Sequence, residues 1–125
     1  RRLGELIAKR SGKRLTELRV GGGGSQSDEI MQITSDVFGL PAQRMHTGNL
    51  SALGAAIDAT IALGIYKTFP EAMERMVRVK ATFTPKDANV RIYDRLFKEV
   101  YLKMYTALSP LHSEIADITN YPRLR

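Results

Sequence analysis

Four consecutive glycines, Gly21 to Gly24, sit directly between a strand-like segment and a helix start, and this placement limits what the chain can build. Upstream, Leu15 to Val20 puts Thr16, Leu18 and Val20 on one face of a short strand. Downstream, Ser25 or Ser27 suits an N-cap, and the acids Asp28 and Glu29 suit the positive end of a helix dipole. Gly39 and Pro41 stop that helix after Phe38. Gly21 to Ser25 spells a flexible linker unit, yet the run is short and has no polar padding. A tight strand-to-helix turn is a second reading. The third is an anion loop, because glycines let a backbone come close and free N–H groups at a helix start attract phosphate. It is not a Walker A loop, since no Gly-Lys-Ser/Thr follows. Nor is it the G-x-G-x-x-G dinucleotide fingerprint, because Gln26 or Ser27 occupies the place of the last glycine. Spacing alone leaves phosphate binding and a plain turn both open.

The rest of the chain alternates strands and helices. Arg1 to Lys9 carries Leu3, Leu6 and Ile7 on one helical face, with Gly12 as its stop. After the helix Asp28 to Phe38 comes a short strand from Ala42 to His46. A helix from Leu50 to Tyr66 follows, rich in small residues (Ala52, Gly54, Ala55, Ala56, Ala59, Ala62, Gly64) and therefore expected to be tightly buried. A helix-dimer seam is the other use of its Ala52, Ala55, Ala56 and Ala59 face, which makes a homodimer a further expectation. Thr68 and Glu71 fit a capping box for a short helix ending near Arg75 or Met76. Val77 to Phe83 alternates as a half-buried strand, and Asp87 to Ala107 has the three- and four-residue apolar spacing of a long helix. Ser109-Pro110 fits an N-cap with proline at the first helical position, opening a last short helix. The order α-β-α-β-α-α-β-α-α predicts an α/β fold with a short sheet flanked by helices. Three short strands look like part of a larger sheet.

Composition removes other classes. The 125 residues match one ordinary domain, and 43% hydrophobic types are enough for a core. There is no cysteine, so disulfide frameworks and thiolate chemistry are excluded. His46 reads as a strand-end residue and His112 as a surface residue, and neither is assigned metal or catalytic chemistry. No apolar run reaches the ~20 residues of a membrane span, and the Arg1-Arg2 start lacks a signal peptide's apolar core. A soluble cytoplasmic domain without membrane contact is expected. Arg1 in place of an initiator Met points to a cut from a longer protein. The net charge is +6, and seven of the 19 basic residues lie between Arg1 and Arg19. With no aromatics interleaved among them, solvated helix faces and a basic end explain the charge, and no nucleic-acid partner is expected.

Three segments together carry a family resemblance. Val20 to Pro41, with Gln32 and Asp36 as a Gln-x-x-x-Asp core before Gly39-Leu-Pro41, resembles the adenosine-site segment of the FGGY carbohydrate kinases. Ser51-Ala-Leu-Gly-Ala-Ala-Ile57 is similar to that family's Ser-Ala-Leu-Gly-Ala-Ala helix start. Phe83-Thr-Pro85, then Tyr93 and Val100 to Leu108, resembles its closing segment. His46 to Leu50 departs from the family's Glu-rich or Pro-containing turn, which leaves the subfamily unassigned.

The resemblance implies an ATP-dependent kinase acting on a sugar or polyol, with two ribonuclease-H-like, actin-like domains around a cleft. Residues 1–125 would be the C-terminal portion of the C-terminal domain. The N-terminal domain, the sugar-binding residues and the catalytic Asp would lie upstream, so this segment alone is expected to be inactive. Gly22, Gly23 and Gly24 would face the nucleotide's phosphates through backbone N–H groups, and Ser27 and Asp28 would border the adenine. Mg²⁺ would be held mainly by the upstream part. An actin-like nucleotide-binding module without sugar chemistry is the alternative.

Overall fold

Capping chemistry sets the helix ends. In the computed structural model, which describes residues 1–121, helix α1 spans Arg2–Ser11 and strand β1 spans Leu18–Val20. Gly23–Gln26 forms one 3₁₀ turn, and helix α2 follows at Asp28–Phe38. The Ser27 hydroxyl caps α2 by accepting from the Ile30 N–H at 3.2 Å. Strand β2 is Ala42–Met45 and helix α3 is Leu50–Ala62, capped where Asn49 Oδ1 accepts from the Ala52 N–H at 3.0 Å. Helix α4, Phe69–Met76, starts with Thr68 Oγ1 accepting from the Glu71 N–H at 3.4 Å. Glu71 reaches back to the Lys67 N–H at 3.0 Å, one residue before the position a capping box uses. Strand β3 is Val79–Phe83, helix α5 is Asp87–Arg95, a π-helical turn covers Leu96–Tyr101, and helix α6 is Leu102–Thr119.

The three strands form one mixed sheet in the order β1-β2-β3. β1 runs parallel to β2 with Leu18 opposite Ala42, and β3 runs antiparallel with Phe83 opposite Ala42. Pairing starts at Leu18, whose N–H reaches Pro41 O at 2.9 Å, so the expected strand from Leu15 is shortened to three residues. Between Arg44 and Met45 the register shifts, placing Arg44 opposite Ala81 and Met45 opposite Val79. This bulge breaks the two-residue alternation, and Arg44 and Met45 are buried side by side.

By its contacts the chain divides into two units, Arg1–Val90 and Arg91–Arg125. In the first, α2 lies against β2 and β3 while α3 pairs with α4. Its buried apolar side chains are Met31, Ala42, Met45, Ile57 and Ala72. The small-residue face of α3 is not the buried surface the sequence suggests. Ala52, Gly54, Ala55, Ala56 and Ala59 are all exposed, and Ile57 carries the helix's burial.

In the second unit, no residue of the π turn or of α6 is buried. The ion pairs Asp94–Lys98 and Arg95–Glu99 run along the helix surface at four-residue spacing. Two expectations are corrected here. The predicted helix Asp87 to Ala107 is interrupted by the π turn, where Phe97 and Tyr101 stack at 5.5 Å. Pro110 does not open a new helix but lies inside α6. The spacing of Leu108, Leu111, Ile115 and Ile118 carries the helical pattern through, although Pro110 has no N–H to bond the Thr106 carbonyl.

Candidate functional site

The four glycines meet three different demands. A Cβ on Gly21 would fall 2.2 Å from Leu50 Cδ1 and 2.3 Å from its Cγ, so Gly21 is where β1 passes under the start of α3. Gly22 has φ 93° and ψ −178°, a backbone state that only glycine adopts without strain. Its N–H donates to Gly48 O at 3.0 Å, and its carbonyl accepts from the Ser25 N–H at 3.2 Å and the Ser25 hydroxyl at 2.7 Å. The Gly22 N–H, expected from the resemblance to face a phosphate, is bonded inside the loop in this structure. Gly23 needs to be glycine for neither reason. A Cβ there meets nothing within 4 Å, and the backbone is not left-handed. On Gly24 a Cβ would make only an ordinary contact, 3.9 Å from Ile30 Cγ2. The N–H groups of Gly23 and Gly24 precede Ser25, the first donor within the 3₁₀ turn, so the turn itself supplies no acceptor for them.

The loop is held from below by a residue with no prominent sequence signal. Arg44 of β2, only 8% exposed, donates through Nε to the Ser25 carbonyl and through Nη2 to Asp28 Oδ1 at 2.7 Å. Its guanidinium lies 5.1 Å from the centre of the Phe83 ring. Asp28, whose side chain is 74% exposed, has one carboxylate oxygen committed to Arg44, while Oδ2 has no partner among the described residues. Ser27 combines its cap with a 2.6 Å hydrogen bond from its hydroxyl to Glu29 Oε2. That bond, with a backbone N–H, holds the Glu29 carboxyl below its ordinary range, as suits a helix-start anion rather than a proton donor.

Farther along α2, Gln32 and Asp36 act together. Buried Asp36 accepts from Gln32 Nε2 at 2.9 Å, the Lys86 N–H at 2.7 Å and Asn89 Nδ2 at 2.7 Å. Burial pushes its carboxyl up, but the hydrogen bonds from Asn89, Lys86 and Gln32 and the Lys86 charge outweigh that and hold it below the ordinary value. Gln32 Nε2 also reaches Thr84 O at 2.9 Å. The pair ties α2 to the segment between β3 and α5. It underpins the site and does not line it.

His46 pairs its backbone N–H with Arg78 O at 2.9 Å, extending the β2–β3 ladder, and His112 is exposed beside Tyr105. Among the described residues no three His, Cys, Asp or Glu side chains are grouped to hold a metal ion. The same residues contain no helix long and apolar enough to cross a membrane. At the Gly23–Gly24 edge a Cβ on Gly23 would stand in open space.

The likeness to known proteins follows the same segments. Residues 1–63 match the FGGY family of carbohydrate kinases, C-terminal domain. The chain is 45% identical over 80 residues, 64% of its length, to the uncharacterised sugar kinase YgcE of Escherichia coli strain K12. It is 43% identical over 90 residues, 71% of its length, to a ribulokinase of Mycolicibacterium smegmatis. It spans only 16% of the length of each of these relatives. Its backbone superposes on a ligand-bound xylulose kinase from Lactobacillus acidophilus with a TM-score of 0.77 and 20% identity, over 90% of this chain and 23% of that one. At that identity the likeness establishes the fold alone, an α/β arrangement of a three-stranded mixed sheet with helices. With the glycine loop, its α2 cap and the Gln32–Asp36 core all lying inside the matched stretch, the chain belongs to the FGGY family of carbohydrate kinases.

Proposed function

We propose that the chain is the C-terminal portion of a FGGY C-terminal domain, and that the cytoplasmic protein carrying it phosphorylates a sugar or polyol hydroxyl with ATP. This segment supplies the adenine and phosphate side of the cleft. The observation that carries the reading is the empty space over Gly23. Gly21 and Gly22 are glycines for the fold's own sake, whereas Gly23 leaves open a surface that the fold does not use. Phosphoryl transfer depends on positioning and charge stabilisation more than on covalent chemistry from the protein. In this reading the Gly23 and Gly24 N–H groups donate to phosphate oxygens. Ser27 and Asp28 border the base, and Asp28 Oδ2 is an acceptor suited to the adenine amino group. ATP supplies the transferred phosphoryl group. The catalytic Asp, the sugar contacts and the Mg²⁺ ligands belong to the rest of the protein, so this segment alone turns nothing over.

Calorimetric titration of ATP, ADP and GTP into the folded chain tests the reading. Binding of ATP and ADP in preference to GTP supports it, because an acceptor at the base edge favours adenine's amino group over guanine's carbonyl. Equal binding of all three, or none by a chain that shows its native circular dichroism, overturns it.

A further inference from the structure

We propose that Arg44 is the positioning residue of this nucleotide loop, an inference that rests on the reading just given. Arg44 joins three elements at one point. It holds the Ser25 carbonyl in the loop's 3₁₀ turn, the Asp28 carboxylate on the first residue of α2, and the Phe83 ring on β3. No other described side chain holds both the turn and the helix start. The bulge between Arg44 and Met45 is what buries both side chains, at the cost of regular pairing with β3. A buried guanidinium is a poor way to gain stability, because its desolvation offsets most of the attraction to its partner. What the arrangement provides is geometry. The planar fork fixes the Ser25 peptide, which follows Gly24, relative to Asp28, which borders the base in that reading. Lysine, a single-point donor, can satisfy one of these partners but not both in the same geometry.

The test uses two variants of the chain, Arg44→Met and Arg44→Lys, with ADP affinity and thermal unfolding measured on each. Arg44→Met is expected to fold with a somewhat lower midpoint, since the buried Ser25 carbonyl loses its donor while the exposed Asp28 carboxylate returns to water. ADP affinity should fall about ten- to a hundredfold, as when partners that orient ligand-binding groups are removed. Arg44→Lys should recover part of that loss. A purely structural role would lower the midpoint and leave the affinity of the folded protein unchanged. Unchanged affinity in Arg44→Met overturns the proposal and leaves the nucleotide reading intact. If Arg44→Met does not fold, Arg44→Lys decides: weaker binding supports the two-partner fork, and full affinity overturns it. No ADP binding by the unsubstituted chain overturns the nucleotide reading and this proposal together.

Discussion

Gly21 to Gly24 are four identical letters, and only the structure separates their work. Gly21→Ala places a Cβ into Leu50, and Gly22→Ala forces a side chain into a glycine-only backbone state. Each should lower stability by about 1–3 kcal/mol, read from urea unfolding midpoints. A second expectation concerns Asp36. Its carboxyl sits below the ordinary value in the folded state, so its contribution is fully present above the unfolded pKa of about 4 and is lost as pH falls through the folded value. Asp36→Asn puts an amide where three donors converge and should cost about 2 kcal/mol at neutral pH. It should also flatten the acid limb of the stability curve, and an unchanged limb would show that Asp36 is not what titrates there. The Gln32–Asp36 spacing is legible from the sequence as a family pattern, but its purpose is not. Lys86 and Asn89, its other partners, lie some fifty residues away in sequence. Arg44 is illegible for a related reason. A single arginine in a four-residue strand reads as solvated until the bulge and its partners are seen.

Elements ended by local chemistry are the most legible. Helix α2 begins after Ser27 and ends before Gly39 as the caps dictate, because a cap depends on residues within one turn. Helix α3 shows the reverse. Its start at Leu50 follows from sequence, whereas the burial of its small-residue face depends on neighbours that local spacing cannot report, and that face is open in this chain. Pro110 illustrates a third case, in which a strong local signal is overridden by the apolar periodicity on either side of it. The proline deprives α6 of an internal hydrogen bond, so Pro110→Ala should stabilise the helix, by up to about 3 kcal/mol. Higher helical ellipticity and a raised unfolding midpoint would confirm this. A loss of either would mean that the proline is needed at that position.

On the scale of the whole molecule, the core is small for the apolar surface displayed. Leu63, Tyr105 and Ile118 are 75%, 71% and 78% exposed, while five apolar side chains are buried among the described residues. The chain spans only a fraction of its relatives' length, 16% for YgcE and 23% for the xylulose kinase structure. The isolated chain should therefore bind the dye ANS in its native state, and a dye-silent native chain would contradict that view. The central claim, that the Gly23 surface is open for a nucleotide, is tested most directly by Gly23→Val, with ADP affinity and thermal midpoint measured on the same preparation. No neighbouring atom within 4 Å opposes the new side chain, so the midpoint should stay within a few degrees while ADP binding is lost. Unchanged ADP binding in the valine variant would contradict the account and make the glycine loop a plain turn.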